Sequence, residues 1–245
     1  MKFTYDAYEN LILLLKEHQY TFCNYFDYEI YDKSVIIRHD VDNDLEKALI
    51  LSKIEYELGI TATYFILTTS NFYNIFSEKN KDILKFISDK GHLIGLHFDE
   101  TQYKKENENW WREAIDREIS LLEQCVGREV KSVSMHRPSK DTLNASWDIR
   151  NGRVINSYGK EFFERHKYLS DSRRNWKEDV LDIIKKDQYS RLHILIHPFW
   201  YNEREIPAKE VLRSFCKKQV YQCYKELDRN MRDLSELLQK RELFV

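Results

Sequence analysis

The chain has 245 residues, with 39 basic and 41 acidic side chains and a formal net charge of −2 at pH 7. This near-neutral charge, without a basic stripe, argues against nucleic acid as the main partner. The sequence shows no apolar stretch long enough to cross a bilayer and no signal-peptide pattern, so we expect a cytoplasmic location. Its four cysteines lack CxxC spacing, which favours free thiols.

Helical and strand patterns alternate along the chain. Helices are predicted at 4–19, 44–58, 77–90, 110–126 and 175–186, with one long or broken helix at 210–239 and a helical turn at 160–165. Strands are predicted at 35–42, 61–67, 92–97, 130–135, 153–157, 167–170 and 192–196. Such alternation indicates βαβ units and a parallel α/β sheet, closed or nearly closed into a barrel. We expect one domain over 1–245, with the barrel at about 33–202 and a helical extension at 203–245.

Polar clusters follow the carboxyl ends of five predicted strands. They are Asp40 with Asp42, His97 with Asp99, His136 with Arg137, Asp171, and His197. Ligands of parallel α/β sheets bind at this edge. The placement therefore predicts a functional site there.

The first cluster allows two interpretations. Side chains alternate along a strand, so Asp40 and Asp42 face one way and His39 the other. Two converging carboxylates repel unless a cation or a proton lies between them, which indicates a metal site or an acid/base pair. The alternative is that Asp42 or a neighbour caps the following helix. His39 is also a candidate substrate contact.

Asp42 and His97 are the best pair of metal ligands. A carboxylate and an imidazole suit zinc or a similar divalent ion, and a catalytic zinc usually keeps three protein ligands. Asp99 and His136 are the candidates for the third position. The alternative for His97 is a histidine packed in the core.

The remaining clusters supply candidates for proton transfer and substrate binding. Arg137 could pair with Asp40 and hold it ionised. Partial burial suits His197 to general acid catalysis, and Asp171 either orients a catalytic residue or caps a helix. Trp200 and Tyr201 could stack on a sugar ring or fill the core, and Trp176 is a further candidate substrate contact.

Over about 35–197, these motifs resemble the polysaccharide deacetylase family of carbohydrate esterases. The sequence motifs RHDVD, GLHFD, HRPS, SDS and IHPFW are most similar to those of deacetylase-like proteins of surface-polysaccharide biosynthesis. The resemblance implies a deformed parallel (β/α)7-type barrel with N- and C-terminal helices. It also implies a divalent metal, for which we expect zinc, and removal of an N-acetyl or N-formyl group from an amino sugar or oligosaccharide.

The resemblance assigns a role to each matching residue. Asp40 matches the catalytic base, Asp42 and His97 match metal ligands, and His197 matches the general acid. The chain departs from the family's motif pattern at two positions. The family's second metal histidine would fall on Thr101, and its motif arginine aligns with either His136 or Arg137. The alternatives are therefore a catalytically degenerate barrel that binds carbohydrate or assists assembly, or an amidohydrolase acting on a non-sugar amide.

Overall fold

A computed structural model describes residues 1–104, 107, 109–144 and 147–244 of the chain. It divides into two compact units, Met1–Glu203 and Arg204–Val245. The last residue of the expected helical extension, at 245, lies outside the described part. The expectation of a single domain stays a prediction. Among the described residues, no helix combines the length and the apolar character needed to span a bilayer.

The first unit alternates strands and helices as expected. Its strands are β1 Thr21–Cys23, β2 Ser34–Val41, β3 Thr63–Ile66, β4 Leu93–Phe98, β5 Ser132–Met135, β6 Ile155–Asn156, β7 Lys167–Ser170 and β8 Arg191–Ile196. Its helices are α1 Tyr5–Glu17, α2 Leu45–Glu57, α3 Glu78–Asp89, α4 Trp110–Val126, α5 Lys140–Asn144, α6 Glu161–Glu164 and α7 Val180–Lys186. The second unit contains α8 Ala208–Asn230 and α9 Leu234–Leu237.

All paired strands run parallel, in the order β6-β5-β4-β3-β2-β8-β7, and β1 adds to β2. This is an α/β fold of the (β/α)7 type, as predicted. In the described part of the chain β6 and β7 do not pair, so the sheet is a curled, open form of a barrel. Parallel strands bring their carboxyl ends to one edge, where the polar clusters lie.

Local chemistry explains where the main elements begin. The side chain of Asp44 accepts a hydrogen bond from the backbone N–H of Glu46 and caps α2. Asp44 thus performs the capping role that was the alternative for Asp42. The side chain of Asp179 likewise caps α7, which therefore begins five residues later than predicted.

Two short elements were not predicted, and the C-terminal helix takes the broken form of the two forms expected. β1 and α5 were not predicted, because three- and five-residue elements carry almost no periodicity. The long C-terminal helix is broken, since Asp233 adopts the left-handed conformation between α8 and α9.

β2 is buried on both faces, and its two faces differ in chemistry. Arg38 and Asp40 alternate with His39, so the ionisable residues separate onto opposite sides of the sheet.

The glycine at position 95 in β4 is required by close packing. Gly95 makes room for the ring of Phe65. A Cβ at Gly95 would lie 2.5 Å from that ring.

Candidate active site and metal centre

A cleft of about 740 Å³ opens at the carboxyl edge of the sheet. Its charged and imidazole-bearing lining residues come from β2, β4, β5, β8 and the segment after β7: Asp40, Asp42, His97, His136, Arg137, Arg173 and His197. Its aromatic lining residues are Tyr158, Phe199 and Trp200. The fold therefore brings chain segments more than 150 residues apart to one cavity.

Asp42, His97 and His136 form a compact triad of metal-type ligands. His97 Nε2 lies 3.1 Å from Asp42 Oδ1, and His136 Nδ1 lies 3.3 Å from the same oxygen. The two imidazole nitrogens are 3.1 Å apart. These three atoms make an almost equilateral triangle of lone-pair donors.

The triangle has the dimensions of a zinc site. Zinc bonds of about 2.0–2.1 Å in a tetrahedron separate neighbouring ligand atoms by about 3.3 Å. Asp42 Oδ1 is buried but receives no well-aligned hydrogen bond from the described part of the chain, although both nitrogens lie against it. One oxygen and two imidazole nitrogens suit zinc and other late divalent ions. These residues could therefore hold a divalent metal ion.

Ser134 orients the imidazole of His97. Its hydroxyl lies 3.0 Å from His97 Nδ1, so the Nδ1–H can donate to it and leave Nε2 free as a ligand. Ser134 is fully buried and sits opposite His97 in the pairing of β4 with β5. The same hydroxyl accepts a hydrogen bond from Arg38 Nη2.

Arg38 and Asp40 form a buried, bidentate ion pair. Arg38 Nε donates to Asp40 Oδ1 at 2.8 Å, and Nη2 donates to Oδ2 at 2.7 Å. Burial by itself raises the pKa of Asp40, but the adjacent guanidinium, with the imidazoles of His97 and His197, holds that pKa below its ordinary value. Asp40 Oδ2 lies 3.7 Å from His97 Nε2. An ionised carboxylate thus stands beside the metal-type triad.

His197 and Asp171 form a second pair across the cleft. His197 Nδ1 lies 2.6 Å from Asp171 Oδ1, and the backbone N–H of His197 donates to both carboxylate oxygens at 3.0 and 3.1 Å. Burial lowers the pKa of His197, but the fully buried Asp171, with smaller contributions from Asp40 and Asp42, raises it to about 9. The imidazole is therefore protonated at neutral pH, with Nε2 on the side away from Asp171.

Two charged candidates occupy other places than expected. Asp99 does not belong to the triad, because its carboxylate accepts hydrogen bonds from Thr101 and Gln102 and caps the 3-10 helix Glu100–Gln102. Arg137 lines the cleft but does not pair with Asp40. Arg38 occupies that position, so both expectations are corrected.

Three of the four proposed substrate contacts lie outside the cleft. His39 is fully buried on the other side of β2, where Nε2 lies 2.6 Å from Glu55 Oε1, and it does not line the cleft. Tyr201 is fully buried against the ring of Tyr8. Trp176 lines a smaller neighbouring cavity of about 300 Å³. Among these aromatic candidates, Trp200 lines the cleft.

Sequence reasoning missed Arg38 and Ser134, although a signal for both was present. Arg38 lies two residues before Asp40, and Ser134 lies two residues before His136. The two-residue period of a strand places each on the same face as its functional neighbour. Applying that period to the residues before each motif would have found them.

No family model matches the sequence, and no curated protein matches it either. Solved structures with a similar fold include the polysaccharide deacetylase Bc1974 from Bacillus cereus, at 17% identity and a TM-score of 0.45, covering 76% of this chain and 86% of that one. The peptidoglycan N-acetylglucosamine deacetylase Bc1960 is 20% identical with a TM-score of 0.46, covering 77% of this chain and 82% of that one.

A third similar structure is BA3943 from Bacillus anthracis, described as a CE4 family pseudoenzyme. It is 16% identical with a TM-score of 0.45 over 78% of this chain, and this chain spans 62% of its length. A BA3943 mutant with restored activity is matched over 64% of its length. These likenesses describe folds and carry no argument about activity, which must come from the residues of the cleft.

Proposed function

We propose that this cleft hydrolyses the amide of an N-acylated amino sugar, in a reaction that depends on a divalent metal. The observation that carries the proposal is the joint placement of the Asp42–His97–His136 triad, the ionised Asp40 and the protonated His197 around one cavity. Amide hydrolysis needs a base, an acid and stabilisation of the developing oxyanion, and these groups can meet all three needs.

Asp42, His97 and His136 would hold the cation. A divalent ion bound there supplies Lewis acidity, which makes water more acidic and polarises a carbonyl oxygen. Ser134 keeps the imidazole of His97 in a fixed orientation. Since His136 can supply the third ligand, the absence of a histidine at Thr101 no longer favours a degenerate barrel.

Asp40 and His197 carry the two proton transfers. Asp40, kept ionised by Arg38, takes a proton from the water that attacks the amide carbon. His197, kept protonated by Asp171, gives a proton to the amine nitrogen as the C–N bond breaks. These steps give a carboxylic acid and an amine, and the acid proton then passes to the amine, so the products are a carboxylate and the ammonium form of the amino sugar. Loss of the proton from Asp40 to solvent and uptake of one by His197 restore both residues, so atoms and charges balance.

The cleft's size and lining support a sugar substrate. A volume of about 740 Å³ lies within the usual range for small-molecule sites. Trp200 and Tyr158 present aromatic surface to it, on which a sugar ring can pack. An N-acetyl or N-formyl group fits the same chemistry. With the motif resemblance, this supports a role in surface-polysaccharide biosynthesis.

Acyl release from N-acetylglucosamine derivatives, measured with and without added Zn²⁺, tests the proposal. We expect activity to require metal and to be lost in Asp42→Ala. Asp99→Asn is the matched control, because that carboxylate lies near the cleft but outside the triad. Activity that survives both chelation and Asp42→Ala would refute the mechanism. Release from simple amides but not from amino sugars would favour the non-sugar amidohydrolase.

A further inference from the structure

Two arginines line the cleft with side chains that have no partner among the described residues. Arg137 and Arg173 both face this cavity, and the guanidinium of neither makes a hydrogen bond or an ion pair with any described residue. We propose that they bind a phosphoryl group, so that the amino sugar taken by this cleft is phosphorylated. This inference rests on the proposed function and narrows its substrate class.

The other charges of the cleft are already matched. Asp40 is neutralised by Arg38, and the protonated His197 is matched by Asp171. Asp42 lies against two imidazoles in a position suited to a cation. Among the described residues that line the cleft, no carboxylate is therefore left to pair with Arg137 and Arg173, and their two positive charges face the substrate space. Such a surplus attracts an anionic ligand.

Both arginines lie close in sequence to residues with a role in the proposed reaction. Arg137 directly follows His136 of the triad, and Arg173 lies two residues after Asp171, the partner of the general acid. Their backbones have φ of +48° and +59°, a left-handed conformation that is costly for residues other than glycine. The chain thus turns sharply at two points and presents a guanidinium at each.

The chemistry of guanidinium selects phosphate among the possible anions. A guanidinium offers a planar fork of donors that matches the oxygens of a carboxylate or a phosphate. A single guanidinium that binds bidentately occupies both oxygens of a carboxylate. A terminal phosphoryl group has three acceptor oxygens and up to two negative charges, so it can accept hydrogen bonds from two guanidinium groups at once. Two unpaired arginines at one cavity therefore fit phosphate better.

Arg174 provides a matched control. It neighbours Arg173 and shares its left-handed backbone, with φ of +56°. Its guanidinium lies 5.2 Å from the centroid of the Phe3 ring, and it does not line the cleft. Replacing it with glutamine changes the charge and the local backbone preference as Arg173→Gln does, but outside the cavity.

Calorimetry on the zinc-loaded full chain tests the inference, in a His197→Ala background that prevents turnover of the probes. The probes are N-acetylglucosamine, its 1-phosphate, UDP-N-acetylglucosamine and the carboxylated N-acetylmuramic acid. We expect the phosphorylated probes to bind more tightly than the neutral sugar. Arg137→Gln and Arg173→Gln should each weaken their binding about tenfold, and Arg174→Gln should not.

The outcomes separate this inference from the proposed function. A phosphate preference that disappears in the double variant supports the inference, even if the unmodified chain releases no acyl group. Equal binding of neutral and phosphorylated sugars overturns it, and acyl release would then leave the proposed function standing. A preference that survives the double variant places the phosphate on the metal and also overturns it. Equal affinity for the carboxylated sugar refutes the choice of phosphate.

Discussion

Replacing Arg38 with methionine should uncouple the candidate base from its counter-ion. Arg38 is fully buried, Asp40 is 4% exposed, and two hydrogen bonds join them. Removing one partner of such a pair leaves a buried charge alone and costs about 3–5 kcal/mol of unfolding free energy. The cost should be visible at pH 7 in a urea or guanidinium titration.

The same substitution should shift the pH dependence of activity. With Arg38 present, the pKa of Asp40 in the folded state lies below its value in the unfolded state, which is about 3.9. The ionised Asp40 therefore stabilises the fold fully at pH values above about 3.9, and this stabilisation is lost as the pH falls through the folded-state pKa. Without Arg38, burial dominates and raises the folded pKa. The acid limb of kcat/KM should then move upward by about 1–3 pH units, the usual effect of an adjacent arginine.

Two controls make this prediction specific. Arg137→Met removes an exposed arginine of the same cleft, so it should cost less than about 0.5 kcal/mol and leave the acid limb in place. Arg38→Met with Asp40→Asn removes both charges and should recover most of the lost stability without activity. If Arg38→Met leaves both the acid limb and the unfolding free energy unchanged, the ion pair has no role in tuning Asp40.

Three further predictions concern the metal, the acid and the core. His136→Ala should lower bound zinc to well below one equivalent by elemental analysis, whereas Asp99→Asn should not; equal retention of zinc in both would exclude His136 as a ligand. Asp171→Asn should move the basic limb of kcat/KM from about 9 towards the ordinary histidine value of about 6.5, because the partner that keeps His197 protonated is gone; an unmoved limb would assign it to another group. Gly95→Ala should destabilise the fold by about 1–3 kcal/mol in chemical denaturation, since the added methyl meets a packed ring; a neutral effect would show that the ring can shift.

The site was more predictable from sequence than individual contacts were. Asp42, His97, His136 and His197 come together because each ends, or directly follows, a strand whose carboxyl end reaches the same edge. That conclusion needs only the alternation of elements and the parallel sheet it implies. The helix α4 was predicted at the bounds it has, since its apolar period is long and a glycine ends it.

The choice between equivalent residues depended on tertiary structure. His136 joins the triad because β5 lies beside β4, which places it next to His97. Asp99, nearer to His97 in sequence, turns away to cap a 3-10 helix. Similarly, Arg38 rather than Arg137 reaches Asp40, because the chain turns left-handed at Arg137 after β5 ends.

Sequence alone therefore determined the class of fold, the edge that carries the chemistry and most of the ionisable residues there. These follow from short-range rules: the period of two along strands, the period of 3.6 along helices, and the chemistry of each side chain. Only the tertiary structure decided which carboxylate pairs with which cation and which third group completes the triad. Those choices depend on separations of a few ångströms between strands distant in the chain, and side-chain periodicity does not encode such distances.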